Sequence, residues 1–420
     1  MKVAVIGSGG REHALAWKLL QSPHIERAFC LPGNGGTART AGCQNVALAA
    51  DDFAGIARCV QERGIELAVV GQEGPLAQGL TDYLHERGIP TFGPTQAGAQ
   101  LEASKAWTKD LLASAGIPTA AAATFTNATA AHDYVRRQGA PLAVKADGLA
   151  AGKGVVIATT VAQAQAAIAE LFQQGHTALV VEECLQGDEL TVMALTDGQT
   201  VRPLLPSQDY KRIGEGDTGA NTGGMGACAP APLADGALMA RIEQEILQPT
   251  VSALRSRGID YRGVLYAGLM VTPQGEPRVL EFNCRFGDPE IQAVLPLLRS
   301  PLDELLLACT ERRLAAVPAL QWYPQRAVCV VTAAQGYPGA YEKGHAITGL
   351  AEAQQAGGVL FHAGTQHTEQ GGCVTAGGRV LAVTATGETF ERARAQAYAA
   401  TERIAFAGKY YRRDIGDRLS

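Results

Sequence analysis

Two residues at alternate positions of one segment raise the first chemical question. Arg278-Val279-Leu280-Glu281-Phe282-Asn283 reads as a strand, in which positions i and i+2 share a face. Glu281 and Asn283 therefore project together, while Leu280 and Phe282 face a core. An anionic and a neutral oxygen ligand side by side suit Mg²⁺, which keeps several waters and takes its other ligands from substrate phosphates. The alternative is a plain polar strand face. The next residues, Cys284-Arg285-Phe286-Gly287-Asp288-Pro289-Glu290, add an arginine and two acids at once and weaken that alternative.

Two glycine loops carry a second signal. Gly7-Ser8-Gly9-Gly10-Arg11-Glu12 follows a strand and opens a helix, the setting of a dinucleotide fingerprint. The pattern G-x-G-x-x-G fails at its sixth position, Glu12, and no acid ends the second strand where a ribose partner belongs. Two readings stay open: a helix N-terminus facing an anion, or a strand-to-helix turn with no ligand. Gly148-Leu149-Ala150-Ala151-Gly152-Lys153-Gly154 is not a Walker A loop, because three residues separate the glycines and Gly154 follows the lysine. Leu142–Lys145 before it and Val155–Ala158 after it are strand-like, so the loop is a hairpin. It is either a lid over phosphates, with Lys153, or a plain turn.

Single charges say less. Lys145 ends a strand and Lys105 lies in a helix; each alone reads as a solvated charge. Glu182-Glu183 ends the strand Leu179–Val181, and Glu189 follows after a loop. An acid there suits a ribose hydroxyl, and backbone at Cys184 and Leu185 suits an adenine edge; spacing alone carries neither assignment.

These residues need a frame of some size. The chain has 420 residues, enough for two or three domains. Its net charge of −5 gives no reason to expect a nucleic-acid partner. Gly is 49 residues, clustered at the loops above and at 214–226, where backbone can approach ligands. The nine cysteines include no C-x-x-C pair and read as reduced thiols, and the eight scattered histidines support no zinc site. The first strand is too short for a signal peptide and no apolar run spans a membrane, so the expected location is the cytoplasm.

The first hundred residues alternate strand and helix, as parallel α/β units do. Strands are expected at Lys2–Ile6, Arg27–Leu31, Leu67–Gly71 and Thr91-Phe92, with helices at Glu12–Leu20, Asp51–Arg63, Pro75–Arg87 and Ala97–Ala115. Further on come a long helix near 235–257, strands Val264–Val271, Ala327–Thr332 and Arg379–Thr384, and a last helix near 388–404.

Taken together, VKADGLAAGKGV (144–155), VVEECLQGDE (180–189), SQDYKR (207–212), NTGGMGA (221–227) and LEFNCRFGDPE (280–290) resemble an ATP-grasp ligase. With GSGGREHALAW (7–17), PGNGGT (32–37) and FGPT (92–95), the chain is similar to the phosphoribosylamine–glycine ligase family over nearly its full length. Gln72 and Ala220 stand where that family usually has proline, which alters loop stiffness rather than chemistry. The resemblance implies a multidomain α/β and α+β fold. Its parts would be an N-terminal parallel α/β domain (1–103), ATP-grasp domains (104–322, with a lid subdomain at about 123–190) and a small C-terminal α+β domain (323–420).

The resemblance also implies roles. Lys105 and Lys145 match lysines that contact ATP phosphates. Glu182 and Glu183, with backbone at Cys184 and Leu185, match the adenine site, and Glu189 the ribose ligand. Gly152, Lys153 and Gly154 match the mobile lid, and Glu281 and Asn283 the ligands of Mg²⁺ or Mn²⁺. Gly10, Glu73, Asp209, Lys211, Asp288 and Arg379 are candidates for 5-phosphoribosylamine. Arg285 would hold the glycine carboxylate or an acyl phosphate, with Lys145 as its catalytic companion. His13 is expected to be structural. The implied reactants are ATP, glycine and 5-phosphoribosylamine, with no nucleic acid or membrane partner and a monomeric chain. Three rivals remain at this point: an ATP-grasp ligase acting on another acid, a nicotinamide-dependent dehydrogenase built on the N-terminal unit, and a non-catalytic nucleotide-binding regulator.

Overall fold

The computed structural model describes residues 1–149 and 154–417. The N-terminal part runs β1 (Lys2–Gly7), α1 (Gly10–Leu19), β2 (Arg27–Pro32), β3 (Cys43–Asn45), α2 (Phe53–Arg63), β4 (Leu67–Val70), α3 (Glu73–Ala77), α4 (Leu80–His85) and β5 (Thr91–Phe92). The five strands form one parallel sheet in the order β3-β2-β1-β4-β5. β1 and β4 are unbroken apolar runs because helices cover both faces of such a sheet. Val3 and Val5 enter one core, Ala4 and Ile6 another. The helix expected over 75–87 is two helices, because Gly79 takes a left-handed conformation at φ +89° and starts α4.

The helix expected over 97–115 is also two, α5 (Gln96–Ala103) and α6 (Lys105–Ala115). Ser104 is extended between them, and its hydroxyl accepts the Trp107 N–H at 3.1 Å, capping α6. The break sets Lys105 at the head of α6. The next segment is β6 (Ala122–Phe125), α7 (Ala128–Gln138), β7 (Leu142–Ala146), β8 (Val155–Ala158), α8 (Val161–Gln173) and β9 (Leu179–Glu183). Its antiparallel sheet, β6-β9-β7-β8, closes on a core of its own that includes Val135, Val144, Ile168 and Val181. β7 and β8 pair as the expected hairpin.

The remainder contains β10 (Asp188–Thr196), β11 (Val201–Pro203), β12 (Gln208–Asp209), β13 (Arg212–Gly214), β14 (Thr218–Asn221), β15 (Gly226–Ala229), α9 (Gly236–Ile242), α10 (Gln248–Ser256), β16 (Gly263–Val271) and β17 (Pro277–Asn283). The long helix near 235–257 is α9 and α10 joined by a π-helical turn, Glu243–Leu247. Pro249 follows that turn and has no N–H to return to a carbonyl one turn back. After α11 (Glu290–Val294) and α12 (Leu302–Thr310) come β18 (Arg326–Ala334), α13 (Leu350–Gln355), β19 (Val359–His362), β20 (Thr365–His367), β21 (Cys373–Thr375), β22 (Arg379–Gly387), α14 (Phe390–Arg403) and β23 (Lys409–Tyr410).

Two sheets frame the site. One has the order β11-β10-β16-β17; the other is β12-β15-β18-β22-β19, with β23 beside β18. β12 and β15 come from residues 208–229, so a segment far upstream supplies two strands to the C-terminal sheet. β17 carries a correction. Glu281 lies opposite Gly268 and Val279 opposite Leu269, which makes Leu280 the extra residue of a bulge. Val279 and Phe282 enter the core, not Leu280 and Phe282. No helix among the described residues is long and apolar enough to cross a membrane. All nine cysteines are free thiols.

Candidate active site

One end of the site is built on strands. Lys145, buried near the end of β7, places Nζ 3.0 Å from Glu182 Oε2 on the neighbouring β9 and donates to the Leu280 carbonyl at 3.1 Å. Lys109 of α6 reaches the same Glu182 oxygen at 2.9 Å and donates to the Thr119 hydroxyl at 2.8 Å. The Glu182 carboxylate, only 2% exposed, thus holds two lysines. Glu183 is exposed on the opposite face of the strand and is not brought into the cluster. Cys184 and Leu185 line a shallow groove with Pro141 and Thr272.

Lys105 donates to the Gly148 carbonyl at 2.9 Å, at the stem of the glycine hairpin. Asp147 ties that stem to α6, accepting from the Ser104 hydroxyl at 3.2 Å and the Ala106 N–H at 3.1 Å. Burial lowers the Lys105 ammonium pKa, although Glu281 works against it. The Gly154 carbonyl accepts the Ala146 N–H at 2.7 Å. Gly152 and Lys153 lie outside the described residues.

Glu281 and Asn283 share the site-facing side of β17. Gly268 opposite leaves room for the acid, since an added Cβ would lie 3.1 Å from Glu281 Cγ. Burial works to raise the Glu281 pKa, but Lys211, Lys145 and Lys105 prevail and hold it below its ordinary value. Among the described residues no group of three or more His, Cys, Asp or Glu could hold a metal ion. A firmly ionised carboxylate beside an amide oxygen fits a hard divalent cation that completes its shell from phosphates and water.

Lys211 pairs with Glu189 at 2.7 Å and lies 3.9 Å from Asp209. Burial pushes the Asp209 carboxyl up to about 8; Lys211 opposes the shift, and Glu290, Glu189 and Glu281 add to it. Behind this group the Tyr266 hydroxyl donates to Glu290 at 2.7 Å and meets Thr191 at 3.1 Å.

The other end is built on loops and helix heads. Arg285 reaches Glu73 at 3.2 Å and Glu102 at 2.8 Å, and donates to Asn283 Oδ1 at 3.3 Å. Burial would lower the Arg285 pKa, but Glu102 and Glu73 raise it; against the same opposing burial, Arg285 and Arg11 hold the Glu73 carboxyl down at about 2. Glu102 also accepts the Cys284 N–H at 2.9 Å. Arg11 donates to the Phe286 carbonyl at 3.0 Å and pairs with Glu12 at 2.6 Å.

Glu12 settles the N-terminal glycine loop. Its other oxygen accepts the Gly9 N–H at 2.6 Å, and a Cβ at Gly7 or Gly71 would lie 2.6 or 2.2 Å from the Glu12 side chain. The anion at this helix head is the chain's own carboxylate. Next to it, Gln292 donates to Asp288 Oδ1 at 2.7 Å, and a Cβ at Gly10 would lie 2.7 Å from that amide. Arg379 donates to the carbonyls of Gly223 at 2.6 Å and Asp288 at 2.7 Å, and lies 3.3 Å from Asp288 Oδ1. Burial raises the Asp288 pKa, but Arg379 and Arg11 win and keep it below the ordinary value.

The structure therefore gathers Gly10, Asp288 and Arg379; Glu73 with Arg285; and Asp209, Lys211 and Glu189 beside Glu281. Lys109, Glu102 and Arg11 belong to the same charge network and escaped the sequence reading. Lys109 stands four residues after Lys105 on one helix face, a spacing that could have flagged it. Glu102 and Arg11 had no periodic signal, because Arg285 and the Phe286 carbonyl, which tie them to the site, lie 183 and 275 residues away.

The N domain of phosphoribosylglycinamide synthetase matches residues 1–102, its ATP-grasp (A) domain residues 103–291 and its C domain residues 327–418. A phosphoribosylamine–glycine ligase of Nostoc sp. is 60% identical over 424 residues, covering 100% of both chains. One of Synechocystis sp. is 59% identical over 418 residues, again covering 100% of both. The crystal structure of phosphoribosylamine–glycine ligase from Thermotoga maritima superposes with a TM-score of 0.84 at 34% identity, covering 99% of this chain and 100% of that one. N5-carboxyaminoimidazole ribonucleotide synthetase of the same organism shares the fold, with a TM-score of 0.66 at 19% identity over 96% of this chain and 99% of that one. The chain belongs to the phosphoribosylglycinamide synthetase family and is an ATP-grasp ligase of the phosphoribosylamine–glycine ligase type.

Proposed function

We propose that the protein catalyses ATP + glycine + 5-phosphoribosylamine → ADP + phosphate + glycinamide ribonucleotide, as a monomer in the cytoplasm, with Mg²⁺ or Mn²⁺. The observation that carries this reading is the Glu281 carboxylate beside the Asn283 amide on β17, with Lys105, Lys145 and Lys211 around the acid. A glycine carboxylate is a poor electrophile, since its leaving group would be oxide. Its oxygen attacks the γ-phosphorus of ATP, the bond to the β-phosphate oxygen breaks, and ADP leaves. The amine of phosphoribosylamine then attacks the carbonyl of glycyl phosphate. Phosphate departs with the C–O bonding pair, and the nitrogen gives up a proton.

Such transfers need alignment and charge neutralisation more than covalent catalysis. Lys145 and Lys105 hold the phosphates, and Glu182, itself held by Lys109, fixes Lys145. Backbone at Cys184 and Leu185 meets the adenine, and Glu189 takes the ribose once released from Lys211. Glu281 and Asn283 would hold the cation, whose contribution is to neutralise charge on the transferring phosphoryl group. Arg285, clamped by Glu73 and Glu102, presents a planar fork suited to a carboxylate or acyl phosphate. Gly10, Asp209, Lys211, Asp288 and Arg379 contact phosphoribosylamine. A lid subdomain over about 123–190, with the glycine-rich segment 148–154, excludes water from the acyl phosphate.

The test is ADP release from ATP and Mg²⁺, with phosphoribosylamine generated in place. Release that requires both glycine and phosphoribosylamine is expected. Release with formate or bicarbonate in place of glycine would overturn the acid substrate.

A further inference from the structure

Asp209 and Lys211 flank a tyrosine that faces elsewhere. Side chains alternate along the extended segment 208–211, so Tyr210 enters the C-terminal core beside Val328, Val330 and Ile415. There the end of the chain grips it. The Gly416 N–H donates to the Tyr210 hydroxyl at 2.9 Å, and the Arg412 guanidinium carbon lies 5.1 Å from the ring centroid.

Arg412 is 0% exposed and is the bulkiest fully buried side chain among the described residues. Asp414 meets its charge at 2.6 Å and Asp217 at 2.9 Å. The same guanidinium donates to the Arg212 carbonyl at 3.0 Å, one residue beyond Lys211. The Tyr398 hydroxyl secures the tail, donating to the Arg412 carbonyl at 2.9 Å and accepting the Ile415 N–H at 3.0 Å. Across the hairpin, the Thr222 N–H and hydroxyl each donate to the Lys211 carbonyl at 2.8 Å.

One planar group thus fixes three things: the ring between Asp209 and Lys211, the peptide after Arg212, and Asp217 within the β13–β14 hairpin. Packing alone would be served by an apolar side chain, because burying a charge carries a desolvation penalty. A rigid fork is suited to holding several directions at once.

We propose that Arg412 is a positioning residue for phosphoribosylamine binding, setting Asp209 and Lys211 through Tyr210 and the Arg212 carbonyl. This rests on the reading of Asp209 and Lys211 as contacts for phosphoribosylamine. The test is steady-state kinetics of full-length Arg412→Ala and Arg412→Lys, with circular dichroism to verify the fold. In both variants KM for phosphoribosylamine should rise roughly 10- to 100-fold, while KM for ATP stays within about threefold. Guanidinium ion at millimolar concentration should partly restore Arg412→Ala. A folded Arg412→Ala with the wild-type KM for phosphoribosylamine overturns the proposal. So does an equal loss toward both substrates that guanidinium does not restore. If Arg412→Ala does not fold, Arg412→Lys decides by the same two KM values. Failure of the ligase reading itself would appear separately, as wild-type protein that releases no ADP with both substrates present.

Discussion

The two ends of the site are held in different ways. At the strand end Lys145, Glu182, Glu281 and Asn283 ride on β7, β9 and β17, and sheet register decides which way each faces. At the other end Gly10, Glu73, Asp288 and Arg379 ride on loops and the ends of elements. There the constraint is a net of charged side chains bonded to remote carbonyls, such as Arg379 to Gly223 across 156 residues and Arg11 to Phe286 across 275. A strand delivers a side chain by backbone pairing alone. A loop needs each charge held by a partner, and so the arginines are doubly engaged.

The comparison can be broken first at the strand end. Glu281→Ala should reduce ADP release by roughly 10³-fold, with an unchanged circular dichroism spectrum, because β17 keeps its ladder. Near-normal Mg²⁺-dependent turnover in that variant would sink the metal assignment.

At the junction of the two ends, Arg285→Lys should lower kcat roughly 10- to 100-fold. A lysine cannot span Glu73 and Glu102 while presenting a fork to substrate. Unchanged kcat would mean that only the charge at 285 matters.

The loop end should respond selectively. Arg379→Ala removes the donor shared by Gly223 and Asp288, and KM for phosphoribosylamine should rise roughly 10-fold, with little change for ATP. A change confined to ATP would reverse the assignment of the two ends.

The smallest effect concerns the support behind the loops. His13 Nδ1 accepts the His362 N–H at 2.8 Å, and Nε2 lies 3.1 Å from the Thr40 hydroxyl, so the neutral ring fits and a second proton does not. Burial, with His362 adding to it, lowers the His13 pKa to about 3; burial, with Arg39 adding to it, lowers that of His362 to about 4. The unfolded rings titrate near 6.5 and take up protons that the folded protein refuses. Their contribution is therefore present above about pH 6.5 and is lost as pH falls toward 4 for His362 and 3 for His13. Urea unfolding at pH 7.5 and pH 5 should show this loss, and His13→Gln should show a shallower one. Equal pH slopes would refute the assignment.

The strands were readable because their signals are local. The apolar runs of β1 and β4 and the i, i+2 spacing of Glu281 and Asn283 act within a few residues. The bulge at Leu280 was not readable, since it depends on the pairing of β17 with Gly268 and Leu269. Nor could the strand Leu179–Val181, ended by Glu182-Glu183, show that Glu182 turns inward to two lysines, one of them on a helix more than seventy residues earlier.

The order of residues settled the alternation of elements in the N-terminal sheet, the spacing of Glu281 and Asn283 and the family motifs, because each rests on covalent spacing and backbone geometry. The tertiary structure alone decided which charges meet. Arg285 joins Glu102, Arg379 joins Gly223 and Arg412 joins the hairpin after Lys211 only once three sheets are packed together. A buried charge must find its partner in space, and nothing in the order of residues says which distant segment will supply it.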